Sequence, residues 1–92
     1  MALLNDDEIE AKLTELDGWE RRDDAIAKDF DRGDFVGSVR FVDSLVAPAE
    51  DMGHHPDLAI SWSTVTVTIS THSEGGLTAA DFELAARVDG LA

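Results

Sequence analysis

The feature that most constrains this chain is a pair of alternating segments, DLAISW and TVTVTIST, which follow one another from residue 57 to residue 71 with only Ser63 between them. Alternation puts Leu58, Ile60 and Trp62 on one side of an extended chain, and Val65, Val67 and Ile69 on one side of the next. Two half-apolar strands joined so closely are expected to form an antiparallel hairpin with a buried face and a face of threonines and serines. A tight turn at Ser63-Thr64 would set Trp62 opposite Val65. The apolar face needs a covering layer, so the chain is committed to a layered fold.

The remaining segments supply that layer. LNDDEIEAKLTELDG reads as a helix capped by Asn5, with Glu8 at the capping-box spacing, Ile9, Leu13 and Leu16 on one face, and Gly18 as its stop. WERRDDAIAKDF reads as two short strands around Asp23-Asp24, with Ile26 and Phe30 on one side. DFVGSVRFVDSLVAPAEDMG is the longest helical pattern. Asp34 caps it, Gly53 ends it, and Phe35, Val39, Val42, Leu45, Val46 and Met52 form its apolar stripe. Pro48 deprives the Ser44 carbonyl of its helical donor, so a kink or split is expected there, with the end bearing Glu50 re-aimed. LTAADFELAARVDGL reads as a last helix capped by Thr78, with Asp81 at the capping-box position and Leu77 and Phe82 as a staple. The order α-β-β-α-β-β-α predicts a single α+β domain over residues 1–92, a four-stranded antiparallel sheet with three helices on one face. The other face would meet solvent or another subunit.

The chain has three histidines. Two adjoin in EDMGHHPD, between a helix-stopping glycine and a proline, and the third lies in ISTHSEGG. In the register set by a Ser63-Thr64 turn, His55 falls opposite His72, with Cβ atoms within about 5.5 Å. The residue before a proline favours extended backbone, so His55 marks the exit from helix to strand. Successive extended residues point to opposite sides, which gives His54 and His55 different jobs. That divergence argues against a metal centre, where all rings must converge on one ion, and no metal is expected. Histidine exchanges protons near neutral pH, so general acid/base work suits the set better. Plainer roles compete. His54 could simply meet the last carbonyls of a helix, capping accounts fully for Asp81, and Trp62 is a core or rim aromatic that could also wall a flat ligand. Glu50 has no such excuse, because a carboxylate near a helix C-terminus is locally unfavourable.

Composition narrows the function further. Twenty acidic residues against seven basic give a net charge of −13, which offers no basic footprint for nucleic acid. An aspartate-rich, lysine-poor surface suits a high-salt cytoplasm, where screening removes self-repulsion. There is no cysteine, hence no disulfide, thiolate metal site or cysteine nucleophile. No signal-like N-terminus and no run of about 18 apolar residues occurs, so a cytoplasmic protein without a membrane span is expected.

Glu50, His54-His55-Pro56, Trp62, His72 and Asp81 resemble, in type and spacing, the signature of the pterin-4a-carbinolamine dehydratases. STHSEGGLTAADFELA looks like the second block of that family and LDGWE like its N-terminal segment, so the likeness covers nearly the whole chain. The resemblance implies loss of water from a 4a-hydroxytetrahydropterin to give the quinonoid dihydropterin, in tetrahydropterin recycling, without metal or organic cofactor, in a homodimer or homotetramer. It assigns proton transfer to His54 and His72 and orientation of the pterin to His55. Glu50 would bind the pterin or tune a histidine, and the backbone around Pro56 and from Thr71 through Ser73 to Glu74 would edge the ring. The alternative is a non-enzymatic oligomeric interaction module, of the kind that serves some members as a coactivator partner.

Overall fold

The computed structural model describes residues 2–92. Its elements run α1 (Asp6–Leu13), β1 (Glu20–Arg22), β2 (Ala25–Asp31), α2 (Phe35–Ser44), α3 (Val46–Met52), β3 (Asp57–Ser61), β4 (Thr64–Ile69), a 3-10 turn (His72–Glu74) and α4 (Ala79–Leu91). The four strands form one antiparallel sheet in the order β1-β2-β4-β3. This is the α+β architecture expected, with the long helical pattern broken in two.

The local signals act largely as read. Asn5 and Glu8 form a reciprocal capping box at the start of α1, and Asp34 caps α2. α1 stops at Leu13, earlier than Gly18, and the chain then turns through Leu16. The split between α2 and α3 falls at Leu45, three residues before Pro48. Pro48 therefore lies in the first turn of α3, where a missing N–H leaves no helical bond unmade.

The sheet turns Ile26, Phe30, Val65, Val67 and Ile69 toward the helices, and all are buried. Above them lie Phe41 of α2, Leu45 at the junction with α3, Ile9 of α1, and Leu84, Ala85 and Val88 of α4. Each such Leu, Ile, Val or Phe contributes about 1.5–3 kcal/mol of burial. Phe30 joins the layers, tilted against Phe41 at 4.9 Å and edge-on to Trp19 at 6.1 Å. Trp19 Nε1 and Lys28 Nζ both donate to Asp89, at 3.1 and 3.0 Å, which ties β2 and the loop before β1 to the end of α4.

One stripe differs from expectation. The buried positions of α2, α3 and the Leu45 junction between them are Ser38, Phe41, Leu45 and Ala49, while Phe35, Val39 and Val46 stay 57, 45 and 55 % exposed. α2 is apolar on two sides, and the core takes the side carrying Phe41 because that ring meets Phe30. The other side is left uncovered.

The hairpin register also differs. Ser61 faces Thr64 and Asp57 faces Thr68, so the turn is Trp62-Ser63 and not Ser63-Thr64. Trp62 takes the left-handed position at φ 52°. The turn is held by Ser38 Oγ donating to the Trp62 carbonyl and by Arg32 N–H donating to the Ser63 carbonyl, both at 2.7 Å. A two-residue turn with positive φ matches the twist of paired strands, and the bonds from Ser38 and Arg32 favour Trp62-Ser63 over the equally short Ser63-Thr64. The ladder continued outward would align His55 with Ser70, so the expected His55–His72 pairing does not occur.

Candidate active site

The site begins where α3 ends. Gly53 is left-handed at φ 59°, its N–H reaching the Glu50 carbonyl at 3.2 Å while His54 N–H reaches that of Ala49 at 3.0 Å. This closing pair of bonds fixes the His54 backbone to the helix end. Pro56 then directs the chain into β3. The two adjacent rings diverge as extended geometry requires.

The His54 ring turns toward α4, where its Nε2 lies 2.6 Å from Asp81 Oδ1. Asp81 is fully buried. Its other oxygen accepts from Thr71 Oγ1 and from the Thr78 N–H, each at 2.8 Å. Thr71 and Thr78 hydroxyls meet at 2.9 Å. An ionised carboxylate only accepts, so opposite a charged Asp81 the bond requires the proton on Nε2 of His54, with Nδ1 as the ring's acceptor nitrogen. The capping role read for Asp81 is present, and the same side chain also orients His54. Sequence spacing gave no sign of the second role, because 27 residues separate the partners.

The other two imidazoles have carboxylates of their own. His55 Nε2 is in close contact with Glu50 Oε2, both largely exposed. His72 Nε2 lies 3.7 Å from Asp57 Oδ2, beyond hydrogen-bond range but close for opposite charges, and its Nδ1 is 3.5 Å from Ser70 Oγ. Asp57 is thus a site residue that the sequence reading missed. Its position directly after His-His-Pro was the available signal. Ser73 and Glu74 follow His72 in the short 3-10 turn, closed by a Thr71–Gly76 bridge. Thr71 itself is buried, with its side chain on Asp81 instead of facing a ligand.

Beside the Glu50–His55 pair opens an apolar cavity of about 190 Å³, walled by Val42, Leu45, Val46, Ala49, Pro56 and Leu58. Trp62 stands apart, 73 % exposed in the turn at the other end of β3. Among the described residues no three histidine or carboxylate side chains converge as metal ligands do, since each ring faces a different acid. No helix among them is long and apolar enough to cross a membrane.

The family model described as pterin 4 alpha carbinolamine dehydratase matches residues 2–91. Relatives with the printed name "Putative pterin-4-alpha-carbinolamine dehydratase" include one from Thermosynechococcus vestitus, 48 % identical over 97 % of this chain and 94 % of its own. Another, from Roseiflexus castenholzii, is 49 % identical over 96 % of this chain and 95 % of its own. A crystal structure described as a transcriptional coactivator/pterin dehydratase from Brucella melitensis superposes with a TM-score of 0.94 at 33 % identity, covering 99 % of both chains. A pterin dehydratase-like protein identified as a RuBisCO assembly factor in the alpha-carboxysome superposes less fully. Its TM-score is 0.63 at 28 % identity, over 79 % of this chain and 84 % of that one.

Proposed function

The chain belongs to the pterin 4 alpha carbinolamine dehydratase family, and on that premise we propose that it removes water from a 4a-hydroxytetrahydropterin to give the quinonoid dihydropterin. The observation that carries this reading is the buried Asp81 holding Nε2 of His54 at 2.6 Å, which frees the opposite ring nitrogen for proton exchange. The reaction breaks the C4a–O bond and loses the N5 proton. One group must protonate the departing hydroxyl while another takes the N5 proton, so atoms balance as dihydropterin plus water.

His54 and His72 carry these two transfers, and His55, braced by Glu50, orients the ring. The two transferring histidines sit in unlike surroundings, His54 against a buried carboxylate and His72 near an exposed one. Unlike environments are what allow one imidazole to give a proton while the other takes one. Pro56 and the 71–74 backbone edge the pterin, and neither metal nor organic cofactor takes part. Such an enzyme serves tetrahydropterin recycling.

Stopped-flow decay of the carbinolamine, measured in high salt, tests the reading. Turnover well above buffer is expected, and its loss is expected when both His54 and His72 become alanine. A rate unchanged by that double substitution would sink the proposal. A second reading, an oligomeric interaction module without turnover, is favoured by the uncovered Phe35, Val36, Val39 and Val46. It predicts a captured protein partner or tight oligomer in a preparation that shows no histidine-dependent rate.

A further inference from the structure

Of the five arginines in the chain, three rest on carboxylates: Arg21 on Asp6, Arg22 on Glu20, and Arg87 on Asp51 and Glu83. Arg32 and Arg40 have no carboxylate partner among the described residues, in a chain that carries twenty acids. Both line one pocket, a cavity of about 320 Å³ completed by Gly37, Phe41, Ser44 and Leu91. Gly37, Arg40, Phe41 and Ser44 recur at steps of three and four residues and so share one side of α2. Val42, which walls the cavity beside Glu50 and His55, lies on the opposite side. The arginine pocket is therefore separate from the histidine site.

Arg32 is held in place from several directions. Its N–H donates to the Ser63 carbonyl at 2.7 Å. Its own carbonyl lies so close to α2 that a Cβ at position 37 would come within 2.3 Å of it. A glycine inside a helix is unfavourable relative to alanine, and this close approach accounts for Gly37. The guanidinium then lies over the Phe41 ring, Cζ 4.9 Å from the centroid. Stacking orients its plane and leaves the N–H donors along its edge free to bind. The acids on either side of Arg32 in sequence are engaged elsewhere, Asp31 accepting from the Gly33 N–H at 2.9 Å and Asp34 from the Gly37 N–H at 2.7 Å. Ser44 Oγ gives its proton to the Phe41 carbonyl at 2.6 Å. The side-chain donors left to the pocket are those of the two arginines.

We propose that this pocket binds an oxyanion, a carboxylate or a phosphate, carried on an apolar body. Guanidinium groups offer paired N–H donors that match two oxygens of such a group. The cavity has the size of a small-molecule site and exceeds what a bare ion would fill, and Phe41 with the half-exposed Leu91 supplies apolar wall for the remainder. A net charge of −13 repels anions at long range. Salt shortens that repulsion to a few ångströms and weakens direct contacts less, so two arginines at contact distance can decide the binding. The site stands independently of the dehydratase reading.

Benzoate and phenyl phosphate, titrated into the ¹⁵N-labelled full chain at constant ionic strength, test the site. The Nε–Hε signals of Arg32 and Arg40 should shift and saturate, while those of Arg21, Arg22 and Arg87 stay in place. Benzamide, which keeps the ring without the charge, and acetate, which keeps the charge without the ring, should each bind about tenfold or more weakly than benzoate. Arg40→Gln and Arg32→Lys should each weaken binding of both probes by about tenfold or more. Arg40 is exposed, so its variant should keep the amide spectrum of the wild type. Saturable binding of either probe at the two arginines supports the site, and the tighter probe names its oxyanion. Shifts that never saturate or that spread evenly over all five arginines would reduce the effect to screening and overturn the proposal. Benzamide or acetate binding as tightly as benzoate, or an Arg40→Gln chain binding as the wild type does, overturns it as well.

Discussion

Changing Asp81 to asparagine exchanges one carboxylate oxygen for an NH₂ group at nearly constant volume, and the bonds around it make that exchange severe. The carboxylate accepts from His54, Thr71 and the Thr78 N–H, and an amide has only one acceptor oxygen to offer these donors. Asp81→Asn should therefore turn the His54 ring to its other tautomer, visible in ¹⁵N shifts of the imidazole. Turnover should fall by roughly 10²–10⁴-fold, as when an orienting carboxylate is neutralised elsewhere. An unchanged tautomer would show that Asp81 only caps α4. Thr71→Val removes one donor from the buried carboxylate and should cost about 1–3 kcal/mol, measured by urea unfolding, while Thr71→Ser restores most of it. Equal losses for valine and serine would assign Thr71 to packing alone. At this scale the sequence singled out the histidines and carboxylates of the candidate site, but not the Asp81–His54 bond, since nothing local relates a helix cap to a ring 27 positions earlier.

Among the elements, the end of α3 does most to position the site. Gly53 is left-handed, and a Cβ built there meets nothing within 4 Å. The cost of Gly53→Ala is thus one of backbone conformation, about 1–2 kcal/mol. That substitution should also lower turnover by loosening the bond that seats His54 on the Ala49 carbonyl, whereas Gly53→Asn, which tolerates the left-handed region, should keep more of both. Thermal unfolding beside the carbinolamine assay checks this, and an alanine variant with full stability and rate would remove the helix end from the argument. Glycine, proline and the caps made these boundaries legible, because each acts through its own backbone. The register of the hairpin was not legible. Without glycine in the turn, the choice between Trp62-Ser63 and Ser63-Thr64 is made by bonds from Ser38 and Arg32, which come from elsewhere in the chain.

For the whole molecule, charge sets the response to salt. At −13, repulsion opposes the compact state, and the screening length falls from about 10 Å at 0.1 M to about 3 Å at 1 M. The midpoint of thermal unfolding should rise with added NaCl, and a variant with several exposed aspartates changed to asparagine should respond less. A midpoint flat across that range would argue against salt adaptation. The sequence by itself determined the elements, their order, the α+β class and the family, because periodicity, caps and motif spacing are properties of neighbouring residues. Only tertiary structure decided which side of α2 is buried, where the hairpin turns and which acid each histidine meets. These are contests between distant groups for the same space and the same hydrogen bonds, and only the folded chain resolves them.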